Sequence, residues 1–260
     1  RETTRFDLSR RPAYLATTRN ALLCLQRALE QITPRHNSVD DMTRVFAILF
    51  VLLAPALAEG ANPVRAGGSW IDIVSECGPV GIAEVGKYMT VCGDVRLGSQ
   101  ATELIPEPGE GVIASVSQQH LEDVHNLVTK ETFGDCELQL EFLMAKNSNS
   151  GVKMQHRYEI QLYDSHDVEN PTARHCGGIY PHWLFQGEGK PLKYIDKGVP
   201  PRLNAAKPAG EWQTLHIVFR APRFDLSGEK TENARFVLVK LNGKTIHENV
   251  ELDSPTGTAS

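Results

Sequence analysis

The sequence predicts an all-β domain, a sandwich of two antiparallel sheets. From Ser69 onward, apolar and polar residues alternate in short runs that turn residues separate, and this period of two is typical of half-buried strands. Residues 135–142 alternate almost without a break, with apolar side chains on one face and Glu or Gln on the other. Asn242-Gly243 lies between two further runs and is a strong signal for a two-residue hairpin.

The strands follow in chain order. We predict them at residues 88–92, 111–116, 135–142, 153–163, 211–220, 235–241 and 244–246. Turn residues at 106–111 and 147–151 predict reversals between them. Residues 164–208 lose the period and are rich in Pro, Gly, His and aromatic residues. An irregular stretch of that length in a compact domain is usually functional, so we expect a functional loop there.

Composition and charge limit the function classes. The chain has 260 residues, of which 41% are hydrophobic and 23% are charged. These values are ordinary for a globular protein with a full core, and one domain is expected. A net charge of −5 and a pI of about 6.0 disfavour a phosphate-binding face, so no nucleic-acid partner is expected.

The N-terminal part of the sequence predicts export. A basic start at residues 42–44, an apolar run at 45–53 and Ala56-Leu57-Ala58 before Glu59 are the three parts of a secretory signal peptide. The predicted organisation is an extension outside the working protein (1–41), a signal peptide (42–58) and a single β domain (59–260). We predict that the leader, residues 1–58, is helical or disordered, with helical periodicity at residues 19–30.

Export places the protein outside the cytoplasm, secreted or periplasmic, with no stable membrane span after cleavage. The apolar run is also compatible with a core helix or a membrane anchor. Four cysteines follow the leader: Cys77, Cys92, Cys136 and Cys176. An oxidising compartment permits three disulfide pairings among them, which the sequence leaves open. Cys136 lies on the apolar face of a strand and fits a buried free thiol equally well.

Five short motifs occur in a fixed order along the domain. They are Asn149-Ser150-Gly151, Arg157-Tyr158-Glu159-Ile160-Gln161 with Asp164, Gly177-Gly178-Ile179-Tyr180, Gly210-Glu211-Trp212 and Leu241-Asn242-Gly243. Over roughly residues 85–257 the series resembles the bacterial 3-keto-disaccharide hydrolase family, also named the 3-keto-α-glucoside 1,2-lyase/3-keto-2-hydroxy-glucal hydratase family. The resemblance implies a concanavalin-like jelly roll, export and a glycoside substrate oxidised at C3. It also implies closing strands after residue 257, so the domain is expected to lack its last strands.

The implied reaction is an elimination followed by a hydration. A ketone at C3 acidifies the hydrogen at C2, because the resulting carbanion becomes an enolate. A base removes that hydrogen, and the glycosidic oxygen leaves C1. Water then adds to the 2-hydroxy-glucal, so the net result is hydrolysis. The protein must supply a base, a cation or hydrogen-bond donors at the C3 oxygen, and a proton donor for the leaving group.

Glu159 is the predicted base or metal-binding carboxylate, since it matches the Glu-x-Gln pattern of the family. Arg157 is predicted to hold Glu159 ionised or to face the enolate, and Gln161 to bind sugar hydroxyls. His216 is the predicted acid, and Trp212, on the same face of the strand, is a predicted substrate-binding residue.

Three further residues complete the predicted site. Glu141 and Gln139 join the polar face if strand 135–142 lies in the same sheet as Glu159, and Tyr180 stacks on a sugar ring. Asp164 fits a turn cap as well as a ligand. Four histidines (His156, His166, His175, His182) lie near the long loop, but their spacing matches no standard metal-ligand set. A divalent cation with oxygen ligands, held by Glu159, is the cofactor considered instead.

Other functions remain compatible with the same residues. A carbohydrate-binding module without catalysis uses the same sandwich and tolerates the loss of a base. A structural or partner-binding surface protein is a second alternative. A glycosidase with Glu159 and Glu141 as its two carboxylates is a third, at the separations that such enzymes need.

Overall fold

The computed structural model describes residues 5–7, 13–16, 70–86, 89–115, 126–187 and 190–256. Within these ranges the chain forms β-strands and no helix, which confirms the all-β prediction. The strands are β1 (Arg5–Asp7), β2 (Ala13–Ala16), β3 (Met89–Leu97), β4 (Leu104–Ser115), β5 (Leu127–Val128), β6 (Cys136–Met144), β7 (Asn149–Met154), β8 (Tyr158–Tyr163), β9 (Trp183–Leu184), β10 (Lys193–Tyr194), β11 (Gln213–Arg220), β12 (Arg223–Phe224), β13 (Lys230–Glu232), β14 (Ala234–Leu241) and β15 (Lys244–Leu252).

The larger sheet has seven strands in the order β15-β14-β11-β6-β2-β4-β3, and every neighbouring pair is antiparallel. The β14–β15 hairpin closes through Asn242 and Gly243, whose φ angles are 51° and 77°. Two consecutive left-handed residues are what a type I′ turn requires, and Asn-Gly tolerates them. The predicted hairpin is therefore confirmed.

The smaller sheet has the order β5-β1-β7-β8 and is also antiparallel. Beyond β8 it continues into the long loop, where Ile160 bridges to Ile179 and Ile179 bridges to Val199. Part of the region that lacks strand periodicity is therefore attached to the sheet edge by backbone hydrogen bonds.

One hydrophobic core lies between the two sheets. Leu138, Leu140 and Phe142 of β6 enter it from the larger sheet, as their alternation predicts. Tyr158, Ile160 and Leu162 of β8 enter it from the smaller sheet. The rings of Tyr158 and Phe219 meet across the core with centroids 5.7 Å apart. The polar residues that alternate with these side chains must therefore lie on the outer faces of the sheets.

The predicted strand at 153–163 is wrong in one respect, because it is two strands. A turn at residues 155–157 separates β7 from β8, with Gln155 and His156 at positive φ angles of 50° and 60°. Left-handed backbone is uncommon at non-glycine residues. Because no glycine marks this turn, the sequence pattern gives no sign of it. The predicted turn at 106–111 also lies inside a strand, β4, whose pairing with β3 is irregular there.

Two short strands come from the predicted leader. The backbone of β1 pairs with β5 and β7, and the backbone of β2 pairs with β4 and β6. The helical segment predicted at 19–30 and the signal peptide at 42–58 lie outside the described residues. No helix in the described part of the chain is long and apolar enough to cross a membrane.

The disulfide pairings considered from the sequence do not form. Cys92, Cys136 and Cys176 are free thiols. Cys77 forms a disulfide bond, but with none of these three. Burial raises the pKa of the Cys136 thiol to about 11 and that of Cys176 to about 12. Both therefore stay protonated near neutral pH and act as small apolar side chains.

Candidate active site

The outer face of the smaller sheet carries a line of polar side chains at β7 and β8. The antiparallel register places Lys153 opposite Glu159, and Asn149 opposite Tyr163. Gly151 lies opposite Gln161 between these two pairs. Since Ile160 and Leu162 enter the core, their neighbours Glu159 and Gln161 face away from it. This face, with Lys153 and Asn149, is the polar face of the smaller sheet.

Glu159 and Lys153 form a largely buried ion pair on this face. The Lys153 Nζ atom lies 3.8 Å from Glu159 Oε2, and their side chains are only 13% and 12% exposed. A Cβ atom added to Gly151 would lie 2.2 Å from Glu159 Oε1 and 2.8 Å from its Cγ. The Glu159 side chain therefore lies directly over Gly151, so the absence of a side chain at that position makes room for the carboxylate.

Gln161 is held in place on both its side-chain and its backbone groups. Its Nε2 donates to Asn149 Oδ1 at 2.8 Å, and the residue is 3% exposed. Its backbone N donates to the Gly178 carbonyl, and its carbonyl accepts from the Gly177 N–H. Two amide side chains from adjacent strands thus continue the polar face beyond the ion pair, and amides suit sugar hydroxyls as donors and acceptors.

Tyr180 forms the side of the site opposite Lys153. Its backbone N donates to the Glu159 carbonyl at 3.0 Å, and the bridge between Ile160 and Ile179 places its side chain on the polar face. The Tyr180 hydroxyl lies 3.3 Å from the Tyr194 hydroxyl. A tyrosine pair from the long loop therefore stands beside Glu159.

The rest of the long loop is held by contacts within itself. A Cβ atom on Gly178 would lie 2.3 Å from the Ala173 carbonyl oxygen. Asp196 Oδ1 accepts hydrogen bonds from the N–H groups of His182 and Gly198. The loop is thus fastened beside Glu159 and Gln161, which are 9% and 3% exposed.

Residues 254–256, after the last strand, tie the elements of the site together, and we call them the C-terminal strap. The Thr256 hydroxyl accepts from the Glu159 N–H at 3.2 Å and donates to the Tyr180 carbonyl at 3.1 Å. The Thr256 N–H donates to the Arg157 carbonyl. The Ser254 hydroxyl donates to Asp196 Oδ2 at 2.8 Å. The strap therefore links β8, the Tyr180 segment and the Asp196 turn.

The structure separates the predicted site residues into two groups. Glu159, Gln161 and Tyr180 share the polar face of the smaller sheet. His216, Gln139 and Glu141 lie on the outer face of the larger sheet, because β6 and β11 pair there and turn their apolar sides to the same core. His216 Nε2 contacts Glu137 Oε1 at 2.7 Å, with both side chains partly exposed. The expectation that these three join Glu159 is therefore corrected.

The same separation removes the glycosidase pair, since Glu141 and Glu159 face away from each other on different sheets. Trp212 packs against a small apolar cluster that includes Val95 and Val112, and its Nε1 donates to Asp94 Oδ1 at 3.2 Å. Its contacts are those of a packing residue.

Lys153 is a cation beside Glu159 that the sequence reasoning missed. Arg157, predicted for that role, belongs to the turn between β7 and β8, where its N–H donates to the Met154 carbonyl. The turn places Lys153 opposite Glu159 across the hairpin. A hairpin interpretation of residues 149–163 would have revealed Lys153, but it depends on left-handed Gln155 and His156.

The residues around Glu159 do not fit a divalent cation. Over the described ranges, no group of three or more His, Cys, Asp or Glu side chains is placed to hold a metal ion. The Lys153 ammonium lies 3.8 Å from the Glu159 carboxylate, and a bound cation would be repelled by it. Among the histidines, His166 Nδ1 contacts the Ala206 carbonyl and His175 Nδ1 accepts from the Thr172 N–H.

Asp164 behaves as a turn cap. Its Oδ2 accepts from the Asn147 N–H at 2.9 Å and lies 3.4 Å from Lys146 Nζ, and its side chain is 3% exposed.

A separate polar depression lies beside β11, β13 and β14. Both arginines that line it already pair with carboxylates, because Arg220 pairs with Glu232 and Arg235 pairs with Glu251.

Comparison with known proteins identifies a family over most of the β domain. The model of the 3-keto-alpha-glucoside-1,2-lyase-like domain matches residues 99–260, which include every residue of that face. No curated protein matches the sequence significantly. A crystal structure of a suspected glycosyl hydrolase from Parabacteroides distasonis ATCC 8503 is similar with 23% identity and a TM-score of 0.40.

That similarity covers 51% of this chain and 52% of the other, so the chain spans about half the length of that protein, and a TM-score this low carries no argument about fold or activity. The family match covers more than half of the 260 residues and includes the Glu159-x-Gln161 motif. The chain therefore belongs to the 3-keto-alpha-glucoside-1,2-lyase-like family.

Proposed function

We propose that this protein cleaves 3-keto-glucosides by elimination across C1 and C2, followed by hydration of the resulting 2-hydroxy-glucal. The observation that carries the proposal is the Lys153–Glu159 pair, a shielded carboxylate and ammonium 3.8 Å apart beside two amides and a tyrosine. Elimination next to a ketone needs a base and a positive charge that act on neighbouring atoms, C2 and the C3 oxygen. A pair at this separation suits those two positions.

The residues divide the reaction between them. Glu159 removes the C2 proton, while the Lys153 ammonium faces the C3 oxygen where enolate charge develops. The enolate then collapses: the C3 carbonyl re-forms, the C1–C2 double bond forms, and the C1–O bond breaks as the glycosidic oxygen takes a proton from the Tyr180 hydroxyl. Gln161 and Asn149 hold the sugar hydroxyls.

Hydration reverses these proton transfers. Water adds its oxygen to C1 and gives a proton to the Tyr180 oxygen, and Glu159 returns its proton to C2. The site thus ends in its starting protonation state, and no redox partner is needed.

The test is to incubate the 260-residue protein with 3-keto-trehalose in D₂O. We expect release of 3-keto-glucose that carries deuterium at C2, because Glu159 exchanges the proton it removes. Direct hydrolysis at C1 would leave C2 unlabelled and would contradict the proposal. In E159Q we expect loss of release by about 10²-fold or more, since an amide cannot act as the base.

The matched control is E141Q, the same substitution on the outer face of the larger sheet. It is expected to keep full activity. If the parent protein releases no 3-keto-glucose, and both it and E159Q bind the sugar, a carbohydrate-binding module would be favoured instead.

We also propose that the protein acts outside the cytoplasm. The signal-like residues 42–58 support this.

A further inference from the structure

Arg174 extends the site beyond the two tyrosines. Its guanidinium carbon lies 4.0 Å from the centre of the Tyr194 ring, and the Tyr194 hydroxyl lies 3.3 Å from that of Tyr180. The residue before it, Ala173, contacts Gly178 beside Gln161. Two independent sets of contacts therefore place Arg174 at the edge of the polar face.

The Arg174 side chain is exposed and keeps its hydrogen-bonding edge available. In the described part of the chain it forms no ion pair and no side-chain hydrogen bond, unlike Arg202, Arg220, Arg223 and Arg235, which all pair with carboxylates. Stacking on an aromatic ring orients the plane of a guanidinium and leaves its N–H groups directed outward. The guanidinium of Arg174 is thus oriented to bind an anionic oxygen group.

The charge of the segment that contains Tyr194, the ring under Arg174, favours the same class of ligand. Lys190, Lys193 and Lys197 follow in the long loop and are likewise without ion pairs in the described ranges. The nearby carboxylate of Asp196 is already occupied by two N–H groups and a hydroxyl. Residues 190–197 thus carry three lysines and one aspartate, in a chain whose net charge is −5.

We propose that Arg174 binds an anionic oxygen group, a carboxylate or a sulfate or phosphate ester, on the part of the glycoside that leaves from C1. This inference rests on the proposed function. There Tyr180 protonates the glycosidic oxygen, so Tyr194 and Arg174, which lie beyond Tyr180, face the departing group. A bidentate contact between guanidinium and carboxylate would then make acidic glycosides the preferred substrates.

The test compares two phenyl 3-keto-glucosides that differ only at the ring 4-position, one with a carboxylate and one with a carboxamide. For the parent protein we expect KM for the carboxylate to be about tenfold lower, the size of one charge-assisted hydrogen bond. In R174Q this preference should disappear while kcat on the carboxamide stays unchanged. R174K should restore only part of it, because an ammonium lacks the planar fork.

The control is R96Q, which removes an exposed arginine that pairs with Glu107 at 3.2 Å on another strand pair. It should leave the preference intact. Equal KM values in the parent protein, or equal effects of R174Q on both substrates, would overturn the inference and leave the elimination reaction standing.

A second measurement does not depend on turnover. Calorimetry with 4-hydroxybenzoate and 4-hydroxybenzamide as probes should show tighter binding of the anion, lost in R174Q and weakened by added salt. If neither glycoside is cleaved but this binding difference is found, the proposed reaction fails and the anion site stands. If the two probes bind alike, the anion site is wrong whatever the activity.

Discussion

Gly151 shows how one residue controls the candidate site. The three nearest atoms to an added Cβ would all belong to the Glu159 side chain, at 2.2 to 2.9 Å. Such distances are shorter than van der Waals contact, so Glu159 would have to move, and its carboxylate would leave the neighbourhood of Lys153.

We therefore expect G151A to lower kcat/KM on a 3-keto-glucoside by about 10²-fold, because small displacements of a reacting group are costly. The midpoint of thermal unfolding should change little, since the carboxylate can swing aside without disturbing the core. G134A is the matched control, because a Cβ at Gly134 would meet nothing within 4 Å. Unaltered activity in G151A would show that Glu159 does not need its present position.

The pairing of elements around the site depends on the C-terminal strap. Thr256 is 3% exposed, and its hydroxyl satisfies the Glu159 N–H and the Tyr180 carbonyl at once. Both groups lie on backbone that lines the site, so the strap sets the separation between Glu159 and the Tyr180 side.

We expect T256V, which keeps the shape but removes the hydroxyl, to lower the free energy of unfolding by about 1–3 kcal/mol, the cost of leaving buried polar groups unpaired. T256S should restore most of it. Urea denaturation measures the change, with S254A as the control because its hydroxyl contact is exposed. Equal stabilities of T256V and T256S would contradict the bridging role of the hydroxyl.

Strands β1 and β2 are a further feature at the scale of elements. They occupy interior positions, β1 between β5 and β7 and β2 between β4 and β6. A strand inside a sheet satisfies backbone groups on both neighbours, whereas an empty position would expose two edges. The prediction that residues 1–41 lie outside the working protein therefore implies that other strands would have to fill these positions.

The stability of the whole molecule should depend on pH through His247. This histidine is 2% exposed, and its Nε2 contacts the Gly177 carbonyl at 2.6 Å. Desolvation by burial lowers the pKa of His247 below its ordinary value of 6.5, although the Gly177 contact opposes this. The unfolded chain therefore binds this proton more readily than the folded protein. Stability is fully present above pH 6.5 and is lost as the pH falls below it.

Between the lowered folded-state pKa and 6.5, this group costs at most about 1.4 kcal/mol per pH unit, and the loss levels off below the folded-state pKa. H247Q retains an N–H for Gly177 but cannot titrate, so its free energy of unfolding should fall less between pH 7.5 and pH 5. Urea denaturation at both values tests this, and the other titrating groups cancel in the comparison. Parallel pH profiles for the parent protein and H247Q would show that His247 does not contribute.

Much of the candidate site follows from local pattern. Alternation in residues 158–163 places Glu159 and Gln161 opposite the apolar residues, and the structure places them so. Tyr180 was found through its motif. Lys153 was missed because its position opposite Glu159 depends on left-handed backbone at Gln155 and His156, and side-chain alternation is blind to backbone handedness.

The sequence by itself determined the all-β class, the apolar faces of β6, β8 and β11, the position of the Asn242-Gly243 hairpin, and the family to which the chain belongs. These are local properties, since period and turn chemistry act over a few residues. Only the tertiary structure decided that β6 and β11 lie in one sheet and β8 in the other. His216, Gln139 and Glu141 share the alternation of Glu159, yet pairing between strands far apart in the chain placed them on the opposite outer face.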